Sequence, residues 1–363
     1  MTALGQHQYA CPSCGAALEF APGTGGLACP YCRARLEIAA PEGGSPKHDY
    51  AAYAGQVHTP VAQLPAFAPT CRNCGGTQQT TALAGRCPSC RGPLVVSDDL
   101  GGRLKGPDGV VPFVVDRERA AAGFRAWTSS RWFAPSALKK VATPDSMRGA
   151  YLPHWGFDDR TVTDYTGQRG DHYSTTETYT TQENGETVTR TREVQHTRWS
   201  HASGRVARDF VDVLAPGVVT PAADLLAKLG PWSAAAAGGY QPELLAGFDA
   251  PRYDVDAAEG FAAAKRDMAD AIERDCRDDI GGDEQRVSSM DIRDRDVLFR
   301  LLLLPLWIAT YVAAGRTFHV YVNANTGRVI GERPYSAVKI ASAVLVAIMT
   351  VVVAYVLYRN SHG

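Results

Sequence analysis

The chain has 363 residues, with 37 Lys and Arg against 38 Asp and Glu and a formal net charge of −1. That length leaves room for two or three domains, and the charge balance excludes a global electrostatic pull toward nucleic acid or anionic lipid. With hydrophobic residues at 45%, the overall hydropathy is that of a soluble protein, and one anchor on a globular body is a sufficient account.

Four Cys-x-x-Cys pairs crowd the first ninety or so residues: Cys11/Cys14 with Cys29/Cys32, and Cys71/Cys74 with Cys87/Cys90. In Cys11-Pro12-Ser13-Cys14-Gly15 and Cys87-Pro88-Ser89-Cys90-Arg91 a tight turn brings two thiolates toward one ion, and two such knuckles complete a tetrahedron. The gaps between knuckles, about fourteen and about twelve residues, suit a short hairpin returning the second pair beside the first. In the first ribbon Leu18-Glu19-Phe20, a Gly-rich turn at 22–26 and Leu27 supply it. One pair alone could be redox-active, but four pairs in two spaced sets favour metal. Disulfides are the rival reading; they need an oxidising compartment, and residues 1–10 carry neither the basic start nor the apolar core of a signal peptide. The expectation is two structural Zn2+ ions, since four cysteine ligands leave no open position for water or substrate.

Residues 41–69, rich in Ala, Pro and Gly, lack a sustained period and read as a linker that Tyr50, Tyr53 and Phe67 could pin to a neighbour. Leu94-Val95-Val96 ends the second ribbon, and a Gly-rich link runs over 98–109. A larger α+β domain then opens with a strand at 111–115, followed by an Asp116 cap and a helix with Ala120, Phe124 and Trp127 on one face. From Thr161 to Val213, Thr alternates with charged or aromatic residues and Asn184-Gly185 supplies a hairpin turn, which predicts a meander of long antiparallel strands. Asp256 and Glu259 resemble a capping box, with Ala257, Phe261, Ala264, Met268 and Ile272 stepping along one helical face and Cys276 continuing the stripe as a buried small hydrophobe. Residues 301–308 are apolar but short and broken by Pro305, which suits a buried strand; a hairpin follows, over 317–322 and 328–330. Leu152-Pro153-His154-Trp155 and Leu304-Pro305-Leu306-Trp307 share Leu-Pro-x-Trp, a hint of internal duplication whose alternative is coincidence over four residues.

Residues 340–358 (IASAVLVAIMTVVVAYVLY) carry no charge, and as a helix reach roughly 28 Å, enough to span a bilayer. Arg328, Arg333 and Lys339 precede the span and Arg359 alone follows, which favours the N-terminal bulk in the cytoplasm, so the chain reads as tail-anchored in the cell membrane. The organisation expected is thus zinc ribbon 1–40, linker 41–69, zinc ribbon 70–98, α+β domain 110–334 and transmembrane helix 338–358.

The paired ribbons, Val111-Pro112-Phe113, Gly149-Ala150-Tyr151-Leu152-Pro153-His154-Trp155, Leu304-Pro305-Leu306-Trp307, Asn325-Thr326-Gly327-Arg328-Val329-Ile330-Gly331 and the terminal span together resemble bacterial membrane-anchored proteins with TFIIB-type zinc ribbons. Such proteins are often labelled after primosomal protein N′ or as superfamily II helicases. Helicase chemistry needs a phosphate-cradling loop ending in Gly-Lys, and no Gly-Lys dipeptide occurs in the chain. The resemblance implies instead a non-enzymatic adaptor that recruits protein partners, of the phage-shock or SPFH membrane-stress kind, to the cytoplasmic face of the membrane. The alternative is a membrane-tethered nucleic-acid binder. Through residue 100, Arg33, Arg35, Lys47, Arg72, Arg86 and Arg91 are matched by Glu19, Glu37, Glu42, Asp49, Asp98 and Asp99, which disfavours nucleic acid. An enzyme ranks third: His154, His172, His196 and His201 lie near Asp158, Asp159, Asp164, Asp171 and Asp209 in sequence, but their spacing matches no ligand motif and polar residues on a strand's outer face are the ordinary reading.

Overall fold

The computed structural model describes residues 10–39, 43–56, 58–71, 73–96, 105–129, 138, 143–183, 186–220, 222–313, 315–332 and 337–362. Its architecture is α+β, dominated by three very long strands: β8 (Met147–Glu183), β9 (Glu186–Pro216) and β11 (Glu284–Ala313). Thr, Val, Tyr and Trp recur along them, and such residues favour extended backbone. β8 and β9 form one antiparallel hairpin, registered from His154↔Pro216 to Glu183↔Glu186; the Asn184-Gly185 turn itself lies outside the described residues. The expected meander is therefore a two-stranded hairpin, and the third strand, β11, arrives from far along the chain to pair antiparallel with β8 from Met147 to Gly170.

β11 is the central strand, which explains its apolar run. One edge takes β8. The other is shared end to end by β4 (His48–Asp49), β7 (Gly109–Val110) and β12 (Arg316–Asn323), with β10 (Gly238–Gly239) beyond β7 and β13 (Val329–Gly331) beyond β12. Leu301, Leu302, Leu303, Leu304, Leu306 and Trp307 are consequently buried, and the hairpin expected after them is present as β12 and β13. The opening strand expected over 111–115 forms instead just ahead of it: Gly109 and Val110 pair with β11, and of 111–115 only Val111 adds a bond to it, its N–H donating to the Leu303 carbonyl. Pro112 has no N–H to give, and Val114 and Val115 instead donate to the Ala324 carbonyl. The two Leu-Pro-x-Trp segments face each other across β8 and β11, Leu152 opposite Leu304, which places both copies of the pattern around one point of the sheet. Duplication of the flanking halves stays an expectation.

Helix α2 (Arg117–Ser129) starts where Asp116 Oδ1 accepts from Arg119 N at 2.7 Å, and its Ala120 and Phe124 are buried. Helix α4 (Ala257–Ile280) is capped by Asp256, whose Oδ1 accepts from Glu259 N at 2.9 Å. Its stripe of Ala257, Ala264, Met268, Ile272 and Cys276 is buried against β8, β9 and β11. Two short helices precede them in sequence, α1 (Tyr50–Ala54) before α2 and α3 (Ala223–Ala227) before α4. Both core tryptophans satisfy their indole N–H, Trp155 on the Val255 carbonyl at 2.9 Å and Trp307 on the Val115 carbonyl at 2.8 Å. The segment read as a linker contributes β4 and α1 to this body: Tyr50 packs edge-on against Phe157 and Phe299, and Tyr53 packs against Phe299.

At the C-terminal end, α5 (Ala337–His362) contains a stretch, Ala341–Asn360, that is long and apolar enough to cross a membrane, and none of it is buried against the rest of the chain.

Helix α4 approaches the sheet closely at Gly260, where an added Cβ would lie 2.6 Å from Cδ1 of Trp155. Gly260→Ala should therefore destabilise the protein by about 1–2 kcal/mol through overpacking, although alanine is the better helix former. A denaturant titration measures this, and a stabilised variant would mean that α4 sits more loosely on Trp155.

Candidate metal centres

The eight ribbon cysteines gather into two groups, Cys11, Cys14, Cys29, Cys32 and Cys71, Cys74, Cys87, Cys90, and within each group all sulfurs lie within 4.8 Å of one another. The same local device builds all four knuckles. A residue of positive φ follows each second cysteine, and its N–H donates back to the carbonyl of the first: Gly15 to Cys11 at 2.8 Å, Arg33 to Cys29 at 3.1 Å, Gly75 to Cys71 at 2.7 Å and Arg91 to Cys87 at 2.8 Å. Gly15 and Gly75 are residues this conformation favours; Arg33 and Arg91 adopt it at a steric cost, at φ of 63° and 60°. The first cysteine of each knuckle is buried, while Cys14, Cys32 and Cys74 are exposed and Cys90 is half-buried.

Short strands bring the knuckles together. β1 (Glu19–Ala21), β2 (Gly26–Ala28) and β3 (Arg35–Glu37) form the first module's sheet, and β5 (Ala84–Arg86) with β6 (Pro93–Val95) the second's. Across the first cluster Cys11 and Cys32 stand 3.4 Å apart and Cys14 and Cys29 3.5 Å; across the second, Cys71 and Cys90 are 3.6 Å apart and Cys74 and Cys87 3.8 Å. The Cys32 N–H, aimed at the Cys29 sulfur, holds that thiol down at about 6, and the Asn73 side chain does the same for Cys90. Burial pushes the Cys71 thiol up to about 12. Four adjacent thiols cannot all ionise by themselves, but a coordinated dication draws every one to thiolate. The donor set thus fits a thiophilic, tetrahedral ion, with every coordination position filled by the chain.

Neither module swings free. Leu18, Phe20 and Leu27 of the first belong to the main core; Phe20 N donates to the Ala246 carbonyl at 2.9 Å. In the second, Leu83 N donates to the Ala250 carbonyl at 2.8 Å. Arg86 ties the modules to each other through Glu19 at 2.8 Å.

The histidines of the sequence reading do not converge. His154 is buried in β8 with Nδ1 3.2 Å from the Leu152 carbonyl, and burial pulls its imidazole down to about 4, so it stays neutral. His172 pairs with Glu284 at 2.9 Å, His196 bonds Thr175 and stacks on Tyr173, and His201 is exposed on β9. Of the aspartates, Asp164 lies between Arg205 and Arg293 and Asp171 pairs with Arg169, whereas Asp158, which binds Lys47, lines one small cleft with Asp159 and Asp209 and none of the histidines.

Sequence reasoning missed one buried ionic network. Arg300, whose side chain is 5% exposed, makes a bidentate contact to Asp212 and donates to the carbonyls of Ser45 and Ala234. Lys47 bridges Asp212 and Asp158. These partners are too far apart in the chain for any local pattern to announce them. β8 has a register break against β9 at Phe157/Asp159 and against β11 at Arg295/Leu298, and Asp212 and Asp296 there take positive φ.

No family model and no solved structure matches the chain. It is 26% identical over 257 residues to the uncharacterized protein YdjG of Bacillus subtilis (strain 168), an alignment covering 69% of this chain and 70% of that protein.

Two predictions follow from the geometry of this region. Cys11→Ser should remove one bound ion per chain and lower thermal stability more than Cys74→Ser, because Cys11 and Cys29 themselves lie in the main core, whereas the second module reaches that core through Leu83 and Ala84 and its cysteines Cys71 and Cys87 sit in a small satellite with Leu94. Metal analysis with a melting curve for each variant decides it. Separately, Asp159 is 1% exposed and its Oδ2 lacks a hydrogen-bond partner; burial, reinforced by Asp294, lifts its carboxyl to about 6. A raised acid contributes stability fully present below the unfolded value of about 3.9 and lost as pH rises through the folded value. Asp159→Asn should accordingly stabilise the protein by about 2–3 kcal/mol at pH 7 and by roughly half that at pH 5. Unfolding midpoints at the two pH values give the comparison.

Proposed function

We propose that the chain is a tail-anchored zinc-ribbon protein of the cell membrane, its two Zn2+ ions structural and its cytoplasmic bulk acting as an adaptor that gathers protein partners, the phage-shock-type and SPFH proteins being the class that the resemblance suggests. The observation carrying this reading is that cysteine fills every coordination position at both clusters, so the metal holds surfaces in place and offers no site for chemistry. The exposed end of the β8–β9 hairpin supports it in the same direction: Asp171, Glu177, Glu183, Glu186 and Glu193 outnumber Arg190, Arg192 and Arg198, a balance that suits protein better than phosphate.

The competing reading, a tethered nucleic-acid binder, draws on one observation. At the tip of the first module Tyr31 is 80% exposed beside exposed Arg33 and Arg35, a stacking ring next to two cations.

A crosslinked pull-down of the full chain from native membranes, with nuclease treatment, separates the two. Protein partners that survive nuclease, and persist in a Tyr31→Ala/Arg33→Ala/Arg35→Ala variant, are the expected result. Recovery of nucleic acid alone, lost in that variant, would replace the adaptor reading with the other. In the same membranes, deleting residues 338–363 should move the protein to the soluble fraction; a truncated chain that still pellets would contradict anchoring by that helix.

A further inference from the structure

The outer part of the β8–β9 hairpin contributes nothing to the core. β11 begins at Glu284, opposite Gly170, so residues 171–183 and 186–198 run on as a two-stranded arm of roughly 40 Å, and the side chains of 171–182 and 186–198 are all exposed or half-exposed. A two-stranded hairpin is marginal in water without a third strand or an apolar face to bury. Among the described residues both of the arm's edges are unpaired, and each presents a row of backbone donors and acceptors.

The two edges differ in charge. Along β8 the arm carries Asp171, Glu177 and Glu183 and no Lys or Arg, so this edge pairing with itself gathers carboxylates. Along β9 it carries both signs, Glu186, Arg190, Arg192, Glu193 and Arg198. In an antiparallel pair of identical edges related by an axis perpendicular to the sheet, a residue faces one of its own parity, since alternate side chains point to opposite faces. An axis through Thr189 sets Thr189 opposite Thr189 of the second copy, Thr187 opposite Thr191, Val188 opposite Arg190 and Glu186 opposite Arg192. Moving the axis to any residue from Arg190 to Gln195 brings two arginines, or Glu193 and its copy, face to face, which is destabilising.

The favoured register has further support within one chain. Glu186 is exposed close to the hairpin tip, and Arg192 of the second copy sets a cation opposite it. Arg192 already binds Glu177 at 2.9 Å, and its guanidinium has donors to spare. On the other face Thr189 and Thr191 lie opposite Thr180 and Thr178, so the joined arms carry a continuous threonine ladder over four strands.

We propose that the tip of β9 is a self-recognition edge: residues 186–192 pair antiparallel with the same segment of a second copy, centred on Thr189, and join two arms into a four-stranded sheet. The test is the protein mass of the full-length chain in detergent micelles. The wild type should run as a dimer. Glu186→Arg, at an exposed position far from the core, sets two arginine pairs face to face and should halve the mass without changing the circular dichroism. Adding Arg192→Glu to that variant should restore the dimer. A wild type of single-chain mass, a dimer that Glu186→Arg leaves intact, or a double variant that stays monomeric would each overturn the proposal.

Discussion

Four thiolates held within 4.8 Å of one another repel unless a cation stands among them, and the fold places that condition under its own core. Both modules rest on residues 245–250. The first reaches that segment through Phe20 and Ala246, the second through Leu83, Ala84 and Ala250, and β8 through Tyr151 and Asp249. Phe248, in the middle, stacks on Phe113 at 4.4 Å and meets Phe20, Tyr151 and Trp307 at longer range. Metal binding that orders the modules is therefore folding free energy for the body as well. This is a different arrangement from two fingers on a flexible tether, and it makes the cysteines part of the scaffold that presents the rest of the surface.

The long sheet divides into two regimes. Its inner end, from Leu301 to Trp307 with Trp155 and Phe157, is enclosed by aromatic and aliphatic side chains; beyond the register breaks near Asp158 it becomes a polar sheet covered on one face by α4, and then a bare arm. The Arg300–Asp212–Lys47–Asp158 network sits at that boundary. Removing one member of a buried pair leaves the other uncompensated, at a cost of about 3–5 kcal/mol. The network therefore fixes the segment carrying Ser45 and Lys47 to the sheet more by the penalty of breaking it than by net attraction.

Much of this was readable from local pattern, and the remainder depended on distance along the chain. The cysteine pairs, the capped helix over the Ala257 to Cys276 stripe, the β12–β13 hairpin and the apolar C-terminal helix each follow from spacing or periodicity within one element. Gly15 and Gly75 announce their knuckle turns, whereas Arg33 and Arg91 occupy the same conformation with no sign of it in the residue type. The segment around Tyr50 and Tyr53 has no period of its own because its order comes from Phe157 and Phe299, far along the chain. β11 was legible as a buried strand, but a meander is the simplest topology for consecutive strands, and nothing local says that the partner of β8 arrives only after α4.

Hydrogen exchange of the full-length protein, with and without a strong chelator, tests the coupling of the metal centres to the core most directly. Loss of metal should release protection in the two modules and also in the amides that 245–250 shares with β8, those of Tyr151 and Asp249. Protection lost only in the modules, with Tyr151 and Asp249 unchanged, would show that the clusters fold as independent appendages and would contradict the account.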